Sequence, residues 1–182
     1  ALRVDWAFFF GATGQPGKTV DTLISTTLLQ LWTGVVPKDV ADRHRSLATR
    51  NLQRGCDMRL PSGQTLALHM GIAPLSEAEI WTTKGQMVGS GPAPLWFYCL
   101  REGEVKTSGH RLHGVGAAIV ARTFVALMLK DKASYMVQEP GFAPSLGSNG
   151  RFSMTDLVNY TLGSALASED LATLPGDDAA VA

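Results

Sequence analysis

Apolar side chains recur every three or four residues over much of the chain, which is the spacing of an amphipathic helix. This pattern predicts helices over residues 19–31 and 39–54. Asp39 is suited to cap the start of the second helix, because its carboxylate can accept a free backbone N–H. Gly55 is suited to end that helix, because glycine adopts the left-handed conformation that stops helices.

Capping residues mark the start of two further helices. Ser62 precedes a helical run that stops at Gly71. Ser76 and Glu79 form a capping box for a helix that continues through Trp81. The remaining predicted elements are helices over residues 95–105 and 114–130, a helix from the cap pair Ser153 and Asp156 to Leu162, loops at residues 84–94 and 138–151, and a polar connection at residues 106–111.

The helix predicted over residues 114–130 is apolar on nearly every side, so we expect it at the centre of the fold. It is too short to cross a bilayer, and Arg122 interrupts it. A charged residue in such a helix needs an ionic partner or a route to the surface. No membrane span is therefore predicted.

The predicted fold class is mainly α. Residues 1–163 are expected to form one domain or part of one, and residues 164–182 a surface-draped or flexible tail. Residues 4–10 are a dense aromatic cluster whose spacing fits a buried strand and a helix equally. The chain begins with Ala and leads straight into this cluster, which suggests a cleaved product, a fragment or a separate subunit.

Composition and charge narrow the classes of partner. The 182 residues are 45% apolar and 18% charged, as in globular proteins rather than disordered ones. Sixteen basic residues balance sixteen acidic ones, so no electrostatic attraction to nucleic acid or an anionic membrane is expected. The two cysteines, Cys56 and Cys99, are too few for a disulfide framework; they could pair, but free thiols are favoured. The cellular location stays open, with a secreted or periplasmic one as an option.

Residues 11–19 contain glycines followed by Gly-Lys-Thr, which is similar to the phosphate-binding loop of nucleotide-binding proteins. Ala12 replaces the first glycine of that pattern, and Pro16 removes one backbone N–H that a phosphate cradle needs. The rest of the chain lacks the alternating strands and helices of a nucleotide-binding sheet. A glycine- and proline-rich surface loop is the favoured interpretation, and a nucleotide-binding protein the least favoured alternative.

The most informative polar cluster lies at the end of the predicted second helix. Asn51 follows Leu47 and Ala48 by four and three residues, so it projects from the apolar face of that helix. A buried amide without a hydrogen bond costs about 1–3 kcal/mol, so Asn51 should have a partner. For an isolated asparagine that partner would be a neighbouring backbone carbonyl. Arg54, one turn later at the helix end, raises the case for a partner that offers both an acceptor and an anion.

The chain offers no self-contained active site. His44, His69, His110 and His113 lack the spacing of a metal site. We expect His44 to be half-buried and the last two to face solvent. No nucleophile elbow or buried carboxylate pair is present either.

The run Asn51-Leu52-Gln53-Arg54-Gly55, followed by Asp57 and Leu60-Pro61, resembles the Asn-x-Gln-Arg-[Gly/Ser]-Arg-Asp-His-Gly-Leu-Pro signature of animal-type haem peroxidases of the peroxidase–cyclooxygenase superfamily. Bacterial members of that family have further runs that are similar to this chain. These are residues 60–64, 95–98, 115–135 and 152–157. The resemblance covers most of residues 5–162 and implies the C-terminal portion of the haem peroxidase fold.

The resemblance implies a role for three residues. Asn51 would accept the Nδ1–H of the proximal haem-ligating histidine, Arg54 would pair with a haem propionate, and Leu47 would line the proximal pocket. Cys56 stands where the signature has Arg, Met58 where it has His, and Arg59 where it has Gly. The polar network around the site is therefore altered.

The family's haem-ligating and distal residues lie upstream of this motif and match none of the four histidines. The resemblance thus implies a companion polypeptide that carries them and shares the haem, so this chain would be an enzyme only within that assembly. The substrate would be a small molecule or a lipid, and the reaction a peroxidation or a dioxygenation. The alternative is a non-catalytic structural or interaction subunit that keeps the fold without haem.

Overall fold

The computed structural model describes residues 6, 9, 10, 16–39, 41–147 and 150–163, and at Asp42 and Arg43 it describes the backbone alone. The chain divides into two compact units: Thr19–Lys130, and a second unit made of Ala1–Lys18 with Asp131–Ala182. Helices dominate the described part, as the mainly α prediction required.

The first unit contains most of the regular structure. Its elements are α1 (Thr26–Leu29), a 3₁₀ turn (Asp42–Arg45), α2 (Leu47–Asp57), α3 (Gly63–His69), α4 (Glu77–Trp81), the antiparallel pair β1 (Thr82–Thr83) and β2 (Gln86–Met87), α5 (Leu95–Thr107) and α6 (Gly114–Lys130). The second unit contains α7 (Tyr135–Gln138) and α8 (Met154–Leu162).

Tyr98 of α5 is the centre of the core in the first unit. Its ring is fully buried and packs directly against Gly63, where any Cβ would come within 1.9 Å of the ring. The side chain of α5 can therefore reach α3 only because that position is glycine. The Tyr98 hydroxyl accepts a hydrogen bond from the Leu75 backbone N–H at 2.9 Å. The other buried members of this core are Ala67, Leu75, Ile80, Ala93 and Val115.

Glu102, one turn after Tyr98, joins α5 to the start of α6. Its side chain is 2% exposed, and its Oε2 accepts from the backbone N–H groups of Val115 at 2.8 Å and Gly116 at 3.4 Å. The Tyr98 hydroxyl lies near the Glu102 carboxylate and favours its charged form. Burial raises the pKa of Glu102 from its usual value, and the two backbone bonds oppose that rise. The carboxylate thus satisfies free N–H groups at a helix N-terminus, where negative charge is favoured.

Arg45 is the second buried charged residue of the described chain. It donates to three backbone carbonyls, those of Leu31 at 3.2 Å, Pro37 at 3.2 Å and Val36 at 3.3 Å. A guanidinium with several fixed donors can hold an irregular segment in this way. Arg45 therefore fastens the loop after α1 to the turn before α2.

The prediction of a helix over residues 19–31 is wrong except for Thr26–Leu29. Residues 16–25 are irregular, and the Val20 N–H donates to the Gly109 carbonyl at 2.8 Å. Gly109 has a φ of 76°, and a Cβ there would come within 2.6 Å of the Val20 carbonyl oxygen. This long-range pairing overrides the helical spacing of the apolar residues. Because no helix begins at Thr19, a phosphate-binding loop lacks the helix N-terminus it needs, and residues 11–15 lie outside the described part.

The bounds of the predicted second helix are also wrong. Asp39 caps nothing; α2 begins after Ser46, whose hydroxyl accepts the Thr49 N–H. Gly55 lies inside α2, and the left-handed residue is Arg59, with a φ of 52°. The Leu60 N–H bonds the Gly55 carbonyl at 3.0 Å. The Arg59 N–H bonds the Cys56 carbonyl at 2.9 Å, and these two bonds form a Schellman ending.

The capping predictions at Ser62, Ser76 and Ser153 are confirmed. Ser62 caps α3, which is followed by Gly71 at a φ of 72°, and capping boxes open α4 at Ser76 and α8 at Ser153. The predicted helix at residues 95–105 extends to Thr107. The β1–β2 hairpin and α7 were not predicted. β2 lies in the predicted loop at residues 84–94 and the end of α7 in the predicted loop at residues 138–151, whereas β1 and the rest of α7 lie in segments with no predicted element.

The helix at residues 114–130 has the predicted bounds, but it is not at the centre of the fold as predicted. In α6 the buried residues are Val115 and Gly116, whereas residues 120–127 are all exposed. Arg122 reaches the surface. Among the described residues, no helix is long and apolar enough to cross a membrane.

The second unit contains part of the aromatic cluster and the last helix. Trp6 and Phe10 stack with ring centroids 6.2 Å apart, and Val158 is the buried residue of α8. Gly163 follows α8 in the left-handed conformation. The predicted tail at residues 164–182 and the rest of the cluster lie outside the described residues.

We predict that Arg59→Gly stabilises the fold by about 1 kcal/mol, because glycine lacks the Cβ that penalises the left-handed conformation. Denaturant unfolding measures the change. Arg50→Gly, within the same helix, should instead destabilise by about 1 kcal/mol. A loss of stability in Arg59→Gly would contradict the assigned helix ending.

We predict that Glu102→Ala lowers the free energy of unfolding by about 2–4 kcal/mol, since it leaves the N–H groups at the start of α6 unpaired and opens a cavity. Glu104→Ala, which removes a half-exposed carboxylate 2.9 Å from Arg101, should cost less than about 1 kcal/mol. Glu102→Gln keeps one acceptor and should cost less than Glu102→Ala. Because folding raises the pKa of Glu102, the wild type should lose stability relative to Glu102→Gln as pH rises above about 4.5. Equal costs at positions 102 and 104 would contradict the role of Glu102.

Candidate functional site

A groove of about 550 Å³ lies between the end of α2 and the start of α5 in the first unit. This α2–α5 groove is lined by Asn51, Leu52, Arg54, Gly55, Cys56, Met58, Leu60, Pro61, Ser62, Pro92, Ala93, Pro94, Leu95 and Trp96. Its volume is in the range of small-molecule and cofactor sites. The lining is mainly apolar.

The Schellman ending of α2 shapes one wall of the groove. It turns the chain back at Arg59, so that Leu60 lies over Gly55, with its Cδ1 3.9 Å from where a Cβ would stand on that glycine. Met58, in this turn, is 64% exposed. The residues on either side of the turn therefore face the same space.

The opposite wall is fixed by hydrogen bonds to α3 and α4. The Gln64 side chain donates to the Gly91 carbonyl at 3.1 Å and accepts from the Ala93 N–H at 2.9 Å. The Trp81 Nε1–H donates to the same Gly91 carbonyl at 2.9 Å. These bonds place Pro92–Trp96 opposite α2 before any ligand arrives.

Two of the three predicted site residues line this groove. Asn51 is half-buried and Arg54 is exposed, and they lie one turn apart on α2. Asn51 was predicted on a buried face; it instead lies at the border between the helix packing and the groove. Leu47 is half-buried and does not line the groove, so its contact with the proximal side of a haem stays a prediction.

Two polar side chains of the groove, those of Asn51 and Arg54, are not used by the described part of the fold, whereas the Ser62 hydroxyl caps α3. Within the described part, neither the Asn51 amide nor the Arg54 guanidinium makes a side-chain hydrogen bond or ion pair, whereas the intervening Gln53 bonds Asp57 at 2.8 Å. Arg54 is the one charged residue among those that line the groove. It lies in the last turn of α2, where the helix dipole favours a cation. The groove thus combines apolar walls with one amide, one cation, one hydroxyl and one thiol.

Sequence reasoning missed the wall opposite α2. Trp96 lies in the helix predicted over residues 95–105 and was not named as a candidate site residue; it is 38% exposed and lines the groove. Pro92 and Pro94 were assigned to a featureless loop. A local pattern could not have found them, because their position depends on long-range bonds from Gln64 and Trp81.

No metal ligand set is present in the described residues. His69, His110 and His113 are exposed and His44 is half-buried, and none of the four lines the groove. A histidine ligand for a haem iron is therefore not among the lining residues. The groove fits the supporting half of such a site: an acceptor for an imidazole N–H, a cation for a carboxylate, and apolar walls.

The two cysteines are free and differ in environment. Cys56 is exposed and lines the groove. Cys99 is half-buried against Gly116, and burial raises its pKa to about 11. Cys99 is thus a packing residue, whereas the Cys56 thiol is open to reagents.

Comparison with known proteins gives no match: no protein-family profile, no curated protein and no solved structure is similar to this chain. The resemblance to haem peroxidases therefore stays a prediction that rests on the motif and on the groove.

We predict that iodoacetamide at pH 8 modifies Cys56 at least about tenfold faster than Cys99, because a thiol with a pKa near 11 is thiolate only about one time in a thousand at that pH. Peptide mass spectrometry at timed intervals gives both rates. In denaturant the two rates should converge. Equal rates in the folded protein would contradict the packing of Cys99.

Proposed function

We propose that this chain is one part of a haem peroxidase-like oxidoreductase and supports the proximal side of the haem. One observation carries the proposal. Asn51 and Arg54 lie one helical turn apart, line the same apolar groove and have no side-chain partner among the described residues. The resemblance of the surrounding motif assigns a partner to each: a histidine N–H to Asn51 and a haem propionate to Arg54.

The backbone also supports the comparison where the residues differ. The signature has glycine at the position of Arg59, and Arg59 adopts the left-handed conformation that glycine favours. A family that needs this turn would use glycine there. The departure at Arg59 thus changes the residue but keeps the turn.

Asn51 would accept an N–H from a histidine that a companion polypeptide supplies. An acceptor fixed on a helix holds the imidazole in one orientation and one tautomer, and it raises the basicity of the other ring nitrogen. The half-buried position of Asn51 excludes part of the water that would compete for that bond. Asn51 is therefore a positioning residue rather than a ligand.

Arg54 would pair with a carboxylate at the edge of the cofactor. Its guanidinium can bind a propionate through two parallel N–H donors. The apolar side chains that line the groove, such as Met58 and Trp96, would contact the apolar part of the ligand. Haem, when bound, supplies the redox chemistry on peroxide or dioxygen, with a small molecule or a lipid as the substrate.

The alternative is a structural or interaction subunit without haem. It is favoured by the fact that none of the four histidines lines the groove. A nucleotide-binding protein is less well supported, because Lys18 and Thr19 precede an irregular segment and not a helix. That alternative predicts that Lys18→Ala abolishes ATP binding.

The test is to purify the tagged full chain from its native source with whatever is bound to it. We expect a second polypeptide and a Soret absorption band. Asn51→Ala should shift that band or the potential of the iron, and Arg54→Ala should weaken haem retention about 10- to 100-fold, as is common for residues that support a cofactor site. Dialysis against apomyoglobin measures retention.

Gln53→Ala and Arg50→Ala are the matched controls, because both residues lie on α2 but do not line the groove. They should leave the band and haem retention unchanged. An assembly without a Soret band supports the structural subunit and contradicts the proposal. An unchanged spectrum and potential in Asn51→Ala would contradict the role of Asn51.

A further inference from the structure

The second half of α6 is exposed on every side of the helix. Residues 120–127 are all exposed, as are Leu129 and Lys130. Phe124, Leu127 and Leu129 are 61%, 60% and 56% exposed. One exposed apolar side chain is ordinary, but more than two turns of them on all faces mark an interaction surface.

All the charged residues of this segment are basic. Between Val120 and Lys130 the sequence contains no acidic residue. Arg122 is the one charged residue before Lys130, and no hydrogen bond or ion pair of its side chain is found within the described residues. Whatever covers the segment must therefore provide an anion for Arg122, because a buried cation without a partner is costly.

These features discriminate between the possible occupants. A helix that is apolar all round needs to be surrounded, and a flat membrane surface covers only one face. A second copy of this chain that bound through the same segment would offer Arg122 no carboxylate, because that segment contains no acidic residue. A polypeptide with an apolar pocket and a carboxylate at its rim satisfies both requirements.

We propose that residues 120–129 of α6 insert into an apolar pocket of the companion polypeptide, with Arg122 paired to a carboxylate of that partner. The identity of the partner as the haem-bearing chain rests on the proposed function. The surface itself rests on the exposure and charge of α6. The two can therefore fail separately.

The test places a photo-crosslinking residue in the tagged full chain in its native cells, as Phe124→p-benzoylphenylalanine. Met87→p-benzoylphenylalanine is the control, because Met87 has a similar exposure of 64% but belongs to the β1–β2 hairpin and not to α6. We expect one cross-linked heteromeric product at position 124, none at position 87, and haem absorbance in the product before denaturation. Mass spectrometry identifies the partner and the cross-linked residue.

Charge variants test the pairing of Arg122. Arg122→Glu should lower the yield of the cross-link more than about tenfold, whereas Arg122→Lys should retain most of it, because only the first reverses a charge that is buried on docking. Lys84→Glu, an exposed cation of the hairpin, should have no effect. Replacement of the partner's carboxylate by lysine should restore the yield of Arg122→Glu.

Several outcomes would overturn the inference. These are a cross-link to lipid, to a second copy or within the same chain, no cross-link at position 124, or equal yields at positions 124 and 87. A partner without haem would keep the docking surface and contradict the proposed function. A Soret band in an assembly that gives no cross-linked product at position 124 would support the proposed function and contradict the docking surface.

Discussion

The first unit depends on one buried carboxylate. Glu102 binds backbone N–H groups in the first turn of α6, and Tyr98, one turn earlier on α5, binds the Leu75 N–H and packs on Gly63. Burial of Glu102 costs free energy, as its raised pKa reflects. That cost is offset because free donors at a helix start need an acceptor, and water cannot reach them there. Glu102 thereby ties α5 to α6, and Tyr98 on the same helix ties α5 to α3.

The groove follows from this arrangement. Once Tyr98 fixes α5 against α3, the start of α5 lies opposite the end of α2, and Gln64 holds the connecting residues in place. The Schellman ending of α2 then decides which side chains face the gap. Asn51 and Arg54 line the groove because α2 continues through Gly55 and turns only at Arg59. Had the helix stopped at Gly55, the motif would have had a different shape.

The sequence was informative where short-range chemistry decides the structure. The caps at Ser62, Ser76 and Ser153 depend on residues at most three positions away, so a local pattern suffices. The helix at residues 19–31 failed because Val20 bonds Gly109, a contact that no local pattern contains. In the candidate site, the motif located Asn51 and Arg54. The opposite wall at Pro92–Trp96 depends on contacts almost 30 positions distant and could not be predicted.

The placement of α6 shows why its apolar pattern was misread. Nearly continuous apolar residues predict burial, but they do not say whether the burying surface belongs to the same chain. The first turn of α6 is buried by this chain, through Glu102 and the contact of Gly116 with Cys99. The later turns are exposed with Arg122 among them. Arg54 in the groove and Arg122 on α6 are thus both cations that lie beside apolar surface and have no anion within the described fold.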